Sequence, residues 1–197
     1  MKGTRLILAL AAALFAGCQA SSMGRLPAGL VDLYDNAAPG GWMEIEADRS
    51  GRIIEMEAEI PVSALPPAVR AAADRELPGG QIVGAEREIV GGRHGYEVKK
   101  RKDGREYELV FTRGGELLEK EVGLSRDEAP RAVMDAASAA MPGASFKSVE
   151  LVERGAEKLY HVKFTRDGVS YKVALTPEGV VTRRVREQKA EIEIPLE

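Results

Sequence analysis

The 197-residue chain has few of the residues that usually build compact chemical sites, because it contains one cysteine and two histidines. A single cysteine cannot form an intramolecular disulfide, so the core alone must hold the fold together. Metal sites need three or four converging ligands, and we expect both His94 and His161 to lie at the surface. The chain also lacks a Gly-x-Ser-x-Gly nucleophile elbow and a P-loop. We therefore predict no metal site, no cofactor, no catalytic residue and no enzymatic activity.

Long apolar runs are scarce, and the clearest one lies at the N-terminus. Leu6 to Phe15 follows the basic residues Lys2 and Arg5, an order typical of a signal peptide. At about 10 residues the run is too short for a membrane-spanning helix, which needs about 20. It ends in Leu14-Phe15-Ala16-Gly17-Cys18, which resembles the lipobox of bacterial lipoproteins. The resemblance implies that residues 1–17 are removed and that lipidated Cys18 anchors a periplasm-facing protein to the outer membrane. An ordinary secretory signal with an incidental cysteine is the alternative.

The chain has no excess of positive charge. Removal of residues 1–17 takes away two of its 28 basic residues and leaves 26 against 31 acidic ones, a net charge of −5. Proteins that bind nucleic acids by neutralising phosphates need basic charge. We therefore predict no nucleic-acid partner.

The strongest pattern in the chain is an ungapped internal repeat with a period of 64 residues. The matching positions are rich in proline, glycine and tyrosine, which seldom coincide by chance in such numbers. They include Pro66/Pro130, Val69/Val133, Pro78/Pro142, Gly79/Gly143, Tyr96/Tyr160, Asp103/Asp167, Gly104/Gly168, Tyr107/Tyr171 and Gly115/Gly179. Such self-similarity indicates a duplication, with repeat 1 at 61–124 and repeat 2 at 125–188.

Each repeat predicts one helix followed by about four antiparallel strands. Alanine-rich segments with apolar residues at helical spacing, 66–77 and 130–141, each stop at a Pro-Gly pair. A capping box of Ser125 and Glu128 precedes the second. Alternating strands then flank Asp-Gly pairs, which favour tight hairpin turns. The predicted class is α+β, with tandem helix-plus-four-strand repeats and helices packed on one face of an antiparallel sheet.

The remaining segments are assigned by elimination. Residues 42–60 match the last hairpin of a repeat and predict an extra β-hairpin, a partial repeat. Residues 18–41 predict a tether, which holds a possible short helix at 27–36. Residues 189–197 alternate apolar and acidic side chains and are compatible with either an edge strand or a tail.

The turn and core residues resemble the PepSY-like family of bacterial envelope proteins, related in fold to the β-lactamase-inhibitor-protein-like group. The resemblance covers residues 61–188. It depends on Leu65-Pro66, Pro78-Gly79, Tyr96-Glu97-Val98, Asp103-Gly104, Tyr107 and Gly115, with their partners in the second copy. It implies tandem units whose helices cover one sheet face and leave the other open. The namesake inhibitors carry disulfides, which this chain cannot form, so we do not expect β-lactamase inhibition.

Strand alternation assigns a set of polar side chains to the open face. Their mixed charges predict a solvated surface, where opposite charges on neighbouring strands attract weakly. The set is Glu97, Lys99, Arg101, Glu106, Glu108, His161, Lys163 and Lys172. A wide polar face suits a protein or peptide partner better than a small-molecule pocket.

Two stretches are basic, 99–102 and 183–186. One interpretation is contact with anionic lipid or glycan. The other is that their charges at strand edges prevent the pairing of one sheet with another. We thus predict a non-enzymatic, lipid-anchored envelope protein that binds a protein or peptide. A small-ligand or cation sensor and a purely structural lipoprotein are the alternatives.

Overall fold

The computed structural model describes residues 29–188. The predicted signal peptide (1–17), the predicted lipidation site Cys18 and the predicted C-terminal segment (189–197) lie outside the described residues. Within residues 29–188, no helix is long and apolar enough to cross a membrane.

The described chain is a single ten-stranded antiparallel sheet with short helices, so the α+β class is confirmed. Every strand pairs with its neighbour in sequence, in the order β1 to β10. The elements are α1 Leu30–Asn36, β1 Met43–Ala47, β2 Ile53–Glu59, a 3₁₀ turn at Val62–Ala64, α2 Pro67–Glu76, β3 Gln81–Val90, β4 Arg93–Lys102, β5 Arg105–Phe111, β6 Leu117–Leu124, α3 Arg131–Ala140, β7 Ser145–Arg154, β8 Glu157–Arg166, β9 Val169–Leu175 and β10 Val181–Arg186.

The two Asp-Gly hairpins have the predicted geometry. Asp103 and Gly104 have φ values of 51° and 76°, and Asp167 and Gly168 have 52° and 76°. Positive φ at both central residues is the signature of a type I′ turn, whose twist matches that of the flanking strands. These turns fix the register of β4 with β5 and of β8 with β9.

The apolar side chains form three clusters. Val69 and Ala73 of α2 pack with strands β3 to β5, and Val133 and Ala137 of α3 pack with strands β7 to β9. A third cluster joins α1 to β2 and β3, and in it Leu30 and Leu33 are fully buried. The short helix expected within 27–36 is present as α1, but it packs on the sheet and is not part of a free tether. Two buried leucines one turn apart dock this helix on the sheet.

The ends of the helices differ from the sequence expectations in two places. Glu128 does accept a hydrogen bond from the Ser125 amide at 2.7 Å, but α3 begins later, at Arg131, after Pro130. The predicted capping box thus closes a turn that precedes the helix. At the end of α2, the fully buried Lys100 donates to the carbonyls of Ala73 and Leu77, each at 3.0 Å. This lysine of the predicted basic stretch therefore lies under α2 and binds its C-terminal carbonyls, which attract positive charge.

The sheet curls strongly, which positions the functional site. Its register skips one residue at Val83, Leu118, Lys147 and Thr182. Such β-bulges bend a strand and increase its twist. The curl brings the edge strands β1 and β10 close enough for Arg183 to form an ion pair with Glu46. The face opposite α2 and α3 is therefore concave and partly enclosed.

Candidate functional site

The concave face forms a groove of about 790 Å³, lined by side chains from all ten strands. Carboxylates dominate the lining. Eleven glutamates contribute to it, and they are Glu44, Glu46, Glu55, Glu57, Glu86, Glu88, Glu97, Glu108, Glu119, Glu121 and Glu150. We refer to this surface as the groove.

Strand register places several of these glutamates directly opposite one another. Glu57 on β2 lies opposite Glu44 on one side and Glu88 on the other. Glu86 lies opposite Glu97, and Glu108 lies opposite Glu121 in the same way. Like charges at directly opposed positions destabilise a sheet. The groove therefore concentrates negative charge at a cost to folding.

Basic side chains in the groove balance only some of this charge. Lys99 forms ion pairs with Glu86 and, at 3.6 Å, with Glu97. Lys163 lies 3.1 Å from Glu150. Arg154 pairs with Glu119, and Arg183 with Glu46. Within residues 29–188, no ion pair with a lysine or arginine reaches the other groove glutamates, which are Glu44, Glu55, Glu57, Glu88, Glu108 and Glu121.

Two of the unbalanced glutamates, Glu57 and Glu88, hold their protons unusually strongly. Burial, together with Glu55 and Glu44, raises the pKa of Glu57 to about 9. Burial, followed by the negative charge of Glu55, raises the pKa of Glu88 to about 7. Both effects disfavour the charged form of a carboxyl group.

The prediction of a solvated face is wrong for the centre of the groove. Glu86 is 2% exposed, and Glu88 and Glu97 are each 8% exposed. One Glu97 oxygen, Oε1, is buried without a hydrogen bond inside the described part of the chain. Burial, followed by the negative charge of Glu108, raises the pKa of Glu97 well above its usual range. Alternation along a strand assigns a residue to a face, but the curl of the sheet decides whether that face meets solvent.

The structure brings six of the eight predicted face residues together. Glu97, Lys99, Glu108, His161, Lys163 and Lys172 all line the groove. Arg101 and Glu106 do not, and they lie at the exposed end of the β4–β5 hairpin, where they form an ion pair of 2.5 Å. Whether any of the eight contacts a partner remains a prediction.

His161 is not the surface residue that we expected. Its side chain is 13% exposed, and its Nδ1 lies 3.5 Å from Oε1 of Glu121. Burial, followed by the charge of Lys172, lowers its pKa to about 4, so the ring is neutral at pH 7. His94 is exposed, as predicted, and lies 3.5 Å from Arg87.

Two groups of side chains in the groove have metal-ligating atoms within 4.8 Å of one another. One consists of Glu121, Glu150 and His161, and the other of Glu55, Glu57 and Glu88. The members of each group come from two or three different strands, so no single sequence motif joins them.

The first hairpin contributes residues that the sequence analysis omitted from the face. Glu44 and Glu46 alternate with Met43 and Ile45, a period-2 signal that could have assigned them. Trp42 stands at the rim, and its ring lies 5.4 Å from the Lys99 ammonium. An aromatic face at this distance from a cation attracts it.

A family model described as "Putative beta-lactamase-inhibitor-like, PepSY-like" matches residues 30–119. The chain resembles the PepSY-like family there. The match runs from α1 into β6 and confirms the predicted resemblance as far as residue 119. It begins upstream of the predicted limit at residue 61, because α1, β1 and β2 are part of the matched unit.

Two crystal structures are similar in fold. One is a proposed periplasmic protein from Bacteroides eggerthii, with a TM-score of 0.52, 21% identity, and coverage of 61% of this chain and 88% of that chain. The other is a DUF2874 family protein from Bacteroides uniformis, with a TM-score of 0.51, 20% identity, and coverage of 61% and 88%. At these identities the likeness shows the fold alone. No curated protein sequence matches the chain.

Proposed function

We propose that the chain is a non-enzymatic, lipid-anchored envelope protein of the PepSY-like kind, and that its groove binds a positively charged segment of another protein or peptide. The observation that carries the proposal is the set of directly opposed glutamates, half-buried or, at Glu88, buried, that have no basic partner in the described structure. Such a surface lowers its free energy when a ligand supplies the missing positive charge.

The charge argument favours a cationic ligand over an anionic or apolar one. Glu57 and Glu88 are opposed across β2 and β3, and each has a raised pKa. A lysine or arginine side chain between them would favour their charged forms and would pair with them in an environment of low dielectric constant, where charge pairs interact more strongly than in water. A charge-assisted hydrogen bond to a carboxylate is about twice as strong as a neutral one.

The shape of the groove favours a chain segment. A pocket for a small molecule is lined mainly by apolar side chains with a few polar ones, whereas carboxylates line this groove across β1 to β7. Distributed charge of this kind suits several basic side chains of one extended segment.

Sequence and fold support the tandem arrangement and the location. Gly115 and Gly179 lie 64 residues apart, share a φ of 85°, and approach the carbonyls of Ala68 and Ala132 in the same way. The proposed anchor depends on the lipobox that ends at Cys18. The Bacteroides eggerthii protein of similar fold is described as a proposed periplasmic protein, which agrees with the periplasm-facing location proposed for this chain.

Fluorescence anisotropy tests the proposal. A labelled lysine- and arginine-rich decapeptide and its charge-reversed glutamate twin are titrated with the purified chain at pH 7.5. We expect the cationic peptide to bind, the twin to show no binding, and the affinity to fall steeply with salt. The double variant Glu57→Gln/Glu88→Gln should weaken binding at least 10-fold, whereas Glu106→Gln outside the groove should leave it unchanged. Equal binding of both peptides, or of neither, would contradict the proposal.

A second candidate function, cation sensing, is favoured by one observation. His161 lies in the groove beside two carboxylates, at the distances given above.

A further inference from the structure

We propose that Glu121, Glu150 and His161 form a binding site for a divalent transition-metal ion of the zinc type. The site lies in the groove and shares Glu121 with the set of unpartnered glutamates, but it uses neither Glu57 nor Glu88, the two residues changed in the peptide-binding test.

Three adjacent strands present the three ligands on the same face of the sheet. Glu121 comes from β6, Glu150 from β7 and His161 from β8, and Glu150 lies directly opposite His161 in the register. Because the ligands stand on paired strands, the sheet fixes their relative positions before any ion binds. Sites built on such elements are better preorganised than sites on loops.

The spacing of the ligand atoms suits a metal ion better than a hydrogen bond. His161 Nδ1 and Glu121 Oε1 are 3.5 Å apart and form no hydrogen bond. Two atoms that each lie about 2.0–2.1 Å from one tetrahedral zinc ion are about 3.4 Å apart. All three ligand atoms lie within 4.8 Å of one another, so small side-chain rotations would complete the set.

The remaining contacts of Glu150 leave one oxygen available for a metal. Lys163 Nζ lies 3.1 Å from both carboxylate oxygens but donates a hydrogen bond to Oε1 only. Oε2 is buried and has no hydrogen-bond partner among the described residues. A lysine that holds one oxygen while the other ligates a metal would orient the carboxylate, as outer-shell partners of metal ligands usually do.

The ligand types select the kind of ion. Imidazole nitrogen favours zinc, copper or nickel, whereas magnesium and calcium prefer sites built wholly from oxygen. Glu121 and Glu150 supply negative charge for a divalent ion, although Glu150 shares its charge with Lys163. Three protein ligands also leave a fourth coordination position, toward the groove, for water or a bound molecule.

Competition against a chromophoric chelator tests the site, with zinc chloride titrated into the untagged full chain. We expect one equivalent bound at micromolar affinity or better, and we expect calcium and magnesium at millimolar concentration not to compete. Cobalt(II) should give the visible absorption bands of a four-coordinate ion.

Histidine variants provide the matched control. His161→Asn and Glu150→Gln should each weaken zinc binding at least 10-fold, and Glu121→Gln provides a further variant if either fails to fold by circular dichroism. His94→Asn, which changes the exposed histidine, should leave the affinity unchanged. Absence of zinc binding by the wild-type chain, or loss of binding in His94→Asn but not in His161→Asn, would overturn the assignment.

Discussion

Replacement of Glu88 by glutamine tests whether the groove stores unfavourable charge. Glu88 is 8% exposed, faces Glu57 across the strands and packs over Gly95. Its pKa rises from 4.5 to about 7 in the folded chain, chiefly through burial and then through Glu55. The folded state therefore holds a proton at pH values where the unfolded state has released it. The free energy of unfolding falls as the pH rises from about 4.5 to about 7.

The size of the effect follows from the same shift. One pKa unit corresponds to about 1.4 kcal/mol, so ionisation of Glu88 costs at most about 3.5 kcal/mol. Relaxation of the side chain reduces this cost to about 1–2 kcal/mol. Glutamine has the same shape and no charge. Glu88→Gln should thus stabilise the fold by about 1–2 kcal/mol at pH 8 and by nearly nothing at pH 4.5. In a fold of this size, the Tm at pH 8 should rise by about 2–8 °C.

Thermal unfolding of wild type and variant, followed by circular dichroism from pH 4.5 to 8.5, measures this difference. Glu106→Gln serves as the control, because Glu106 lies outside the groove in an exposed ion pair, and it should change the Tm little at any pH. A Glu88→Gln chain that is equally or less stable than wild type at pH 8 would refute the reasoning.

Three further predictions concern the scaffold and the anchor. Lys100→Met should lower the free energy of unfolding by about 3 kcal/mol, because it leaves the buried carbonyls of Ala73 and Leu77 without their hydrogen-bond donor. Urea unfolding measures this loss, and a value under about 1 kcal/mol would contradict the role assigned to Lys100. Gly115→Ala should lower the free energy of unfolding more than Gly104→Ala does. Both glycines have positive φ, but only at Gly115 would a Cβ meet a backbone oxygen, that of Ala68, 2.7 Å away. Equal losses would show that the loop at Gly115 does not contact α2 closely. Cys18→Ser should move the protein from the membrane fraction to the soluble periplasmic fraction, and retention in the membrane would exclude the lipid anchor.

The local structure followed from the sequence wherever one short pattern decides it. Alanine-rich segments that end at Pro-Gly gave α2 and α3 to within about one residue at each end. The Asp-Gly pairs gave both type I′ turns, since few other residues tolerate positive φ at two successive positions. Alternation along β4, β5, β8 and β9 assigned six groove residues to the correct face.

The enclosure of the groove depends on interactions that alternation does not encode. The skipped residues at Val83, Leu118, Lys147 and Thr182 increase the curl, and the Arg183–Glu46 pair across the two edges follows from it. Both depend on how distant strands meet. For the same reason alternation did not predict the burial of Glu88 or of His161. It did assign His161 to the correct face of the sheet.

Carboxyl footprinting by mass spectrometry tests the central claim most directly, because carbodiimide labelling reports the accessibility of each glutamate. The full chain is labelled alone and with a saturating cationic decapeptide. The proposed function predicts that the peptide protects the half-buried Glu57 and Glu108 in the groove and leaves the exposed Glu76 and Glu157 unchanged. Protection of Glu76 on α2 instead of the groove glutamates, or no protection at saturation, would contradict it.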